Sequence, residues 1–484
     1  MSNYDPKSLA MPRLFVLHNG LRIITLSTPT VGTARMSVTV NSGTRDDLEG
    51  YEGTAHFLEH MMFQGSFLRW GTPERSAKTD IMQTFKDWGG GINAGTGKMK
   101  TVCSRFDTSQ YSILDENLPE GADIVLDLVQ HPRLKAANTE REREVIKVER
   151  DTSKNPIGPL THNISCISLY PDSRLGHGIG TNESLDRITA SVLREFWRKH
   201  YVPSNTTIYI QSKRTDEELL KIVTDRLTVL GSNQAPAPDH PPLNAVAGDL
   251  RVPFDKTDKL CYRFSWEVDR NGISTLNKRE RLIVGAIQDI ISEALHIKMR
   301  DNEQLVYSSG ISQDSTGAMI IGFDSNKSPE KLMISFADVM RNIQTHLNQN
   351  ALDRFKRSRT IKYIKFFENP VDVAFANTEK LIDGDEIYRW EDILKMTQDI
   401  TLEELREMAA RIFGKPFGMA VVGKPELLAQ VPTKAKAEIE ASMNITPNDK
   451  PLAGNFPMPD DIKPYDPRHG RTEPLPNPIK HLSR

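Results

Sequence analysis

The order of predicted elements repeats on either side of a proline-rich segment, and this repetition constrains the fold more than any other feature. In each half, alternating extended segments are followed by a helical pattern, more mixed elements and a closing strand. The first half has these at 13–27, 35–41, from Thr54, and at 205–212; the second has them at 261–268, 278–299, 305–324 and 418–423. The sequence therefore predicts an α+β fold of two related domains, each a mostly antiparallel sheet packed with helices.

The length of the chain supports the same division. A chain of 484 residues is longer than a single hydrophobic core usually accommodates. Residues 232–243, SNQAPAPDHPPL, are rich in proline and poor in periodic apolar residues, which is typical of a linker. The predicted boundaries are an N-terminal domain at 1–231, a linker at 232–253, a C-terminal domain at 254–430 and a proline-rich extended tail at 431–484.

Composition excludes several classes of partner. The formal net charge of −2 gives no electrostatic reason to expect nucleic acid or an anionic membrane as a partner. The three cysteines, Cys103, Cys166 and Cys261, lie far apart and form no disulfide framework, which suits a reducing compartment. The N-terminal residues lack a secretory apolar region, and no apolar run approaches the roughly 20 residues that span a bilayer. We therefore expect a cytoplasmic protein that does not span a membrane.

The segment His56-Phe57-Leu58-Glu59-His60 carries the strongest chemical signal. His56 and His60 are four residues apart, so both side chains lie on one face of a helix, where two imidazoles can share a Zn²⁺ ion. Glu59 lies on the same turn, from which its carboxylate can reach a water molecule on the metal without itself being a ligand. Zinc lowers the pKa of such a water and a nearby carboxylate takes its proton, so the pattern indicates metal-assisted hydrolysis.

A catalytic zinc needs a third protein ligand, and the best candidates lie in EREREVIKVERD, residues 140–151. Glu142 and Glu149 are seven residues apart and share one helix face. Glu149 could complete the site while Glu142 orients a ligand. The ordinary alternatives are that residues 140–151 form a solvated charged face and that the two histidines are a polar surface or satisfied core residues.

The sequence 53–66, GTAHFLEHMMFQGS, resembles the core signature of the pitrilysin/insulinase family of inverted zinc metallopeptidases. This family includes mitochondrial processing peptidase and bacterial two-domain members. Further segments resemble the family in the same order and span most of residues 14–425. They are NGLRIITLS (19–27), MSVTVNSGTRDD (36–47), GGGINAGTGKMKTVCSRF (89–106), EREREVIKVERD (140–151), residues 175–205 and MRDNEQLVYSSG (299–310).

The resemblance implies a role for each matching residue. His56, His60 and Glu149 would be the zinc ligands, with one ion per chain, and Glu59 the general base. Glu142 would be an acidic residue outside the ligand set, and Asn93 and Ala94 would lie beside the substrate backbone. Arg300 and Tyr307, seven residues apart as in the family, would bind substrate and polarise the scissile carbonyl. The interval from His60 to Glu149 is longer than in the family, which predicts enlarged loops at 67–90 and near 95–110.

The resemblance also implies an activity and an assembly. The chain would be a zinc endopeptidase that forms half of a clam-shell chamber and hydrolyses peptides or unfolded segments. Arg300 and Tyr307 would complete the site of a partner chain, in a homodimer or in a heterodimer with a paralogous subunit. The alternative is a noncatalytic or partner-dependent subunit, or a peptide-binding scaffold.

Overall fold

The structure, a computed structural model, describes residues 11–71, 76–105, 111–153, 157–232, 234–268, 276–445 and 466–467. It contains two sheets covered by helices, so the predicted α+β class with two related domains is confirmed. The strands of the first sheet are β1 (Arg13–Val16), β2 (Arg22–Ser27), β3 (Thr33–Val40), β4 (Asn93–Thr96), β5 (Thr101–Arg105), β6 (Ile113–Leu114) and β7 (Thr206–Ser212). Those of the second are β8 (Asp249–Pro253), β9 (Leu260–Glu267), β10 (Ser309–Gln313), β11 (Ala318–Ser325) and β12 (Gly418–Gly423).

Helices fill the connections between these strands. The helices before residue 233 are α1 (Thr54–Met62), α2 (Ala77–Asp87), α3 (Leu118–Gln130), α4 (Ala136–Ser153), α5 (Ile157–Leu169), α6 (Ser173–Gly176), α7 (Asn182–Arg187), α8 (Ala190–His200), α9 (Asp216–Thr224) and α10 (Val229–Ser232). Those after it are α11 (Lys278–Leu295), α12 (Pro329–Arg341), α13 (Ile343–His346), α14 (Gln349–Phe367), α15 (Pro370–Ile382), α16 (Trp390–Gln398), α17 (Leu402–Phe413), α18 (Pro425–Leu428) and α19 (Ala435–Ser442). A π-helical segment, His296–Asn302, continues α11.

Five strands of the first sheet have the same connectivity as the five strands of the second. The first has the order β1-β2-β7-β3-β5-β4, and the second has the order β8-β12-β9-β11-β10. The closing strand of each half, β7 or β12, pairs parallel to an early strand, β2 or β8. The other pairs along each path are antiparallel. In the first half, α1 follows β3 and precedes the edge strand β4. In the second half, α11 follows β9 and precedes the edge strand β10.

Each half also contributes one helix to the sheet of the other half. Helix α5 packs on β9 and β12, where the hydroxyls of Ser165 and Ser265 lie 2.8 Å apart. The packing is close: a Cβ added at Gly418 would lie 2.6 Å from the backbone nitrogen of Leu169. Helix α15 covers β2 and β7, where Ala374 and Leu381 join a buried apolar cluster. The two halves are therefore interlocked.

The structure differs from the predicted domain boundaries at two places. Residues 249–253, assigned to the linker, form β8 and pair with β12, because their alternating apolar side chains suit a sheet. Residues 435–442, assigned to the extended tail, form α19, whose Ala435 and Ile439 lie four residues apart and are buried in the second core. Residues 446–465 and 468–484 of the tail lie outside the described residues.

Candidate metal centre

Helix α1 is fixed at its N-terminus by an upstream carboxylate. Asp47 accepts hydrogen bonds from the backbone N–H groups of Gly53, at 2.7 Å, and Ala55, at 2.8 Å. Gly53 has a φ of 92°, and a Cβ there would lie 2.7 Å from the carbonyl oxygen of Ile179. This position therefore requires glycine. Phe57, Leu58 and other apolar residues of α1 are buried in the first core, which leaves the histidine face toward a cavity.

Three candidate ligands converge at this cavity. His60 Nε2 lies 3.1 Å from Glu149 Oε2, and His56 Nε2 lies 3.7 Å from Glu149 Oε1. Ligand atoms of the three residues all lie within 4.8 Å of one another. The two histidines come from α1 and the glutamate from α4, which packs against α1.

A second carboxylate holds His60 from the other side. Glu142, which is buried, has Oε1 2.9 Å from His60 Nδ1, and its Oε2 accepts a hydrogen bond of 2.6 Å from Gln64 Nε2. Lys78 Nζ lies 3.7 Å from the same Oε1. This contact orients the imidazole so that Nε2 faces the cavity, which is the role that an outer carboxylate plays beside a metal-ligating histidine.

Burial and charge act on these groups in opposite directions. Burial and the neighbouring His60 lower the pKa of His56 to about 4. Burial also acts against the charged form of His60, but its contacts with Glu142 and Glu149 raise the pKa of His60 to about 9. The two carboxylates thus favour the protonated form of His60, and a bound metal ion would take the place of that proton.

Glu59 faces the same cavity and is held by a hydroxyl group. Its Oε2 accepts a hydrogen bond of 2.6 Å from Thr96 Oγ1 on β4. Burial raises the pKa of Glu59, although the bond from Thr96 acts in the other direction. A half-buried carboxylate with a raised pKa suits a group that takes and returns a proton.

Asn93 and Ala94 lie on β4, at the edge of the first sheet, and line the same cavity of about 410 Å³. Asn93 and Gly95 are exposed, and β4 pairs with β5 on one side within the part of the chain that the structure describes. The outer side of β4 therefore offers backbone groups to a further strand.

Arg300 and Tyr307 lie together but not at this cavity. The guanidinium carbon of Arg300 lies 5.1 Å from the centre of the Tyr307 ring, and Tyr307 is 79% exposed. Neither residue belongs to the set that lines the cavity, whereas His56, Glu59, His60, Asn93, Ala94 and Glu149 all do. The pair belongs to the second half, at the end of the π-helical segment and just before β10.

The structure adds residues that the sequence did not single out. Gln64, Lys78 and Thr96 hold Glu142 or Glu59, as described above. Gln64 lies four residues after His60, so helical spacing was a usable signal. Helical spacing could not point to Lys78, because residues 67–90 were expected to be an enlarged loop.

That expectation is corrected by helix α2, whose N-cap Ser76 accepts a hydrogen bond from the backbone of Thr79. Lys78 and Met82 of this helix line the cavity. Helix α2 therefore forms part of the cavity wall. The other expected enlargement, near 95–110, includes 106–110, which lie outside the described residues.

The donor set fits a zinc ion. Two imidazole nitrogens and one carboxylate are the ligands of many catalytic zinc sites, which leave a fourth position open. The separation of 3.7 Å between His56 Nε2 and Glu149 is too long for a hydrogen bond, so these two groups face each other without a direct bond.

Within the described ranges, no helix is long and apolar enough to cross a bilayer.

Two relatives that match along most of this chain are named zinc proteases. An uncharacterized zinc protease of Streptomyces coelicolor is 24% identical over 434 residues, which cover 85% of this chain and 89% of the relative. One from Mycobacterium tuberculosis is 25% identical over 449 residues, covering 90% of this chain and 98% of the relative. A probable mitochondrial-processing peptidase subunit beta of Arabidopsis thaliana is 29% identical over 223 residues, covering 46% of this chain and 39% of the relative.

Solved structures share the fold. A protease from Helicobacter pylori superposes with a TM-score of 0.69 at 18% identity and covers 86% of this chain and 100% of that chain. The first half of the periplasmic protease PqqL from Escherichia coli superposes with a TM-score of 0.71 at 17% identity, covering 92% and 100%. Residues 22–162 match the model of the insulinase family (peptidase family M16), and residues 187–359 match that of the "Peptidase M16 inactive domain". With both models matched in order over more than half of its length, the chain belongs to the M16 (insulinase) family of peptidases.

Proposed function

We propose that this protein is a zinc-dependent endopeptidase in which His56, His60 and Glu149 hold the metal ion. The observation that carries the proposal is the convergence of these three side chains beside the half-buried carboxylate of Glu59. A bound zinc ion supplies a Lewis acid that activates water and polarises a carbonyl group. The zinc protease relatives support the same class of chemistry.

Glu59 moves the proton in this proposal. Its carboxylate takes a proton from the attacking water and returns it to the leaving amine. Thr96 holds Oε2 of the carboxylate, which leaves Oε1 to face the reacting groups. Glu142 keeps His60 in position from the opposite side of the ring.

The substrate is proposed to add as an extended strand beside β4. Backbone groups of Asn93 and Ala94 would pair with it, which recognises peptide backbone more than sequence. Such binding favours peptides or unfolded segments, because a folded protein does not present a free strand at this depth. Lys78 and Met82 of α2 line one side of the cavity and would narrow the route by which a substrate reaches it.

Arg300 and Tyr307 are proposed to act on the site of a partner chain. Neither residue lines the cavity, and Tyr307 is exposed, which supports a role outside their own chain. In this arrangement two copies, or one copy and a paralogous subunit, enclose a clam-shell chamber. Tyr307 and Arg300 would stabilise negative charge that develops on the scissile carbonyl oxygen.

Zinc content and hydrolysis of a quenched peptide test the proposal directly. We expect one zinc ion per chain at the catalytic set, and we expect Glu59→Gln to retain it while hydrolysis falls by about 10²–10⁴-fold, the usual contribution of a general base. Glu144→Gln is the matched control, because Glu144 is exposed and pairs with Lys147 at 3.0 Å. Full hydrolysis by Glu59→Gln would refute the assignment of the base.

The alternative is a noncatalytic or partner-dependent subunit, or a peptide-binding scaffold. Residues 187–359 match a model described as inactive, which is the specific observation in its favour. Zinc binding without hydrolysis by the purified chain, and hydrolysis after addition of a paralogous subunit, would favour this alternative.

A cytoplasmic location is part of the main proposal, supported by the buried free thiols Cys166 and Cys261, and cell fractionation tests it.

A further inference from the structure

A second group of potential metal ligands lies away from the candidate catalytic centre. His162 and Cys166 are four residues apart on α5, so both lie on one helix face. Asp314, in the turn between β10 and β11, approaches the same face. One ligand atom from each of the three residues lies within 4.8 Å of the other two.

The carboxylate of Asp314 is held in place by its own turn. Its Oδ1 accepts hydrogen bonds from Thr316 N at 2.9 Å, Thr316 Oγ1 at 2.5 Å and Ala318 N at 3.1 Å. Its other oxygen, Oδ2, accepts the S–H of Cys166 at 2.8 Å. One oxygen is therefore committed to the turn, and the other is directed at the thiol.

One ligand of the group, His162, is exposed to solvent. Cys166 is buried, but His162 is exposed and lines a cavity of about 370 Å³ next to α5. Arg263, which lines the same cavity, is paired with Asp324 at 2.9 Å. The exposed imidazole of His162 therefore offers an incoming metal ion a first ligand, and solvent can supply a fourth.

Lys98 competes for this position. Its Nζ donates a hydrogen bond of 3.1 Å to Cys166 Sγ, so an ammonium group now stands where a cation would bind. Lys98 is half-buried on the turn between β4 and β5, and its long flexible side chain can move to solvent. The site therefore takes a divalent ion only if that ion binds more strongly than the ammonium group.

We propose that His162, Cys166 and Asp314 form a second metal site, for a thiophilic divalent ion such as Zn²⁺, from which binding displaces Lys98. A nitrogen, a sulfur and an oxygen ligand with this spacing suit zinc, and thiolate favours it over Mg²⁺ or Ca²⁺. Binding forms a metal–sulfur bond and releases the thiol proton to solvent. The neutral imidazole, the thiolate and the carboxylate then balance the two positive charges of the ion.

The site would join the two halves of the chain. Helix α5 precedes the linker in sequence, whereas the β10–β11 turn belongs to the second half. Lys98 lies two residues after Thr96, which holds Glu59. Metal binding at the second site therefore acts on the same hairpin that carries the proposed substrate strand.

Titration of the full-length chain with Co²⁺ tests this site separately from the catalytic one. The set of His56, His60 and Glu149 contains no sulfur, so a near-ultraviolet thiolate-to-cobalt charge-transfer band reports a site with a cysteine ligand. We expect the band to appear and saturate as one ion per chain binds in addition to the ion at the catalytic set, and to persist in His56→Ala, which disables the catalytic set. Cys166→Ser should abolish the band, and His162→Ala, an exposed position that tolerates truncation, should weaken binding at least about tenfold.

Two further variants decide the outcome. Lys98→Met removes the competing ammonium group and should tighten cobalt binding severalfold. Cys261→Ser is the matched control, since Cys261 is also a buried free thiol but belongs to no such group within the described residues, and it should leave the band unchanged. Absence of the band from the wild-type chain, or its persistence in Cys166→Ser, would overturn the proposal whatever the peptidase assay shows.

Discussion

The two halves of this molecule share a strand order but differ in the helix that follows the early strands. In the first half, α1 is a nine-residue helix that presents His56, Glu59 and His60 to a cavity. In the second half, α11 has eighteen residues and buries an apolar face, with the single histidine of this region, His296, in the π-helical continuation. The same topology thus supports a candidate metal centre in one half and a packing element in the other.

This difference shows that the fold supplies positions and that side chains decide their use. Thr96 on the edge strand β4 donates a hydrogen bond to Glu59. The equivalent edge strand β10 comes just after Arg300 and Tyr307 in the chain. The two halves therefore offer complementary groups rather than two copies of one site. The predictions below test that division of roles.

The largest expected effect comes from removing the proposed third ligand. Glu149→Gln should lose zinc and reduce hydrolysis by about 10³-fold, because the metal contributes several kcal/mol to the reaction. Glu293→Gln on α11 is the matched change in the second half, where the carboxylate pairs with Arg354 at 3.0 Å, and it should change neither quantity. Zinc analysis and peptide hydrolysis measure both; unchanged zinc and activity in Glu149→Gln would remove Glu149 from the ligand set.

Mixing two inactive variants tests whether the halves of different chains complement each other. Arg300→Ala alone should reduce activity by about 10²-fold, as loss of one group that stabilises an oxyanion does. A mixture with Glu59→Gln should regain about a quarter of wild-type activity, because half of the dimers would be mixed and each would have one intact site. Native mass spectrometry verifies the mixed dimer; no recovery in its presence would contradict the shared site.

Removal of the carboxylate behind His60 should have a smaller effect. Glu142→Gln should weaken zinc binding about 10- to 100-fold, because His60 loses the partner that orients its ring. Glu140→Gln on the same helix is the control, since Glu140 pairs with Arg143 at 2.9 Å. Competition with a metal chelator gives both affinities, and equal values would show that the contact of Glu142 with His60 does not support the site.

The smallest expected effect is at the hydroxyl that holds Glu59. Thr96→Val removes one hydrogen bond worth about 1 kcal/mol and should lower kcat about fivefold. Thr101→Val removes a buried hydroxyl bond to Ser42 O in the same hairpin without touching Glu59. It should lower the free energy of unfolding and leave kcat near wild type, so similar losses of kcat in both variants would argue against a specific role for Thr96.

Much of the fold was predictable because its signals are local. The Asn19-Gly20 turn between β1 and β2, the alternation in β3 and the apolar helix α11 are each read from short windows. The interlocked helices α5 and α15 were not predictable, because nothing local states which sheet a helix covers. Helix α2 was missed because residues 67–90 were expected to form an enlarged loop.

The sequence by itself determined the helical spacing of His56, Glu59 and His60, since four residues make about one turn. It also determined the repeated element order and the candidates Glu142 and Glu149. Only the tertiary structure shows that Glu142 contacts Nδ1 of His60 and that Thr96 donates a hydrogen bond to Glu59. It alone also shows that Arg300 and Tyr307 do not line the cavity. These are contacts between residues far apart in the chain, and such contacts depend on how the helices and sheets pack rather than on any local pattern.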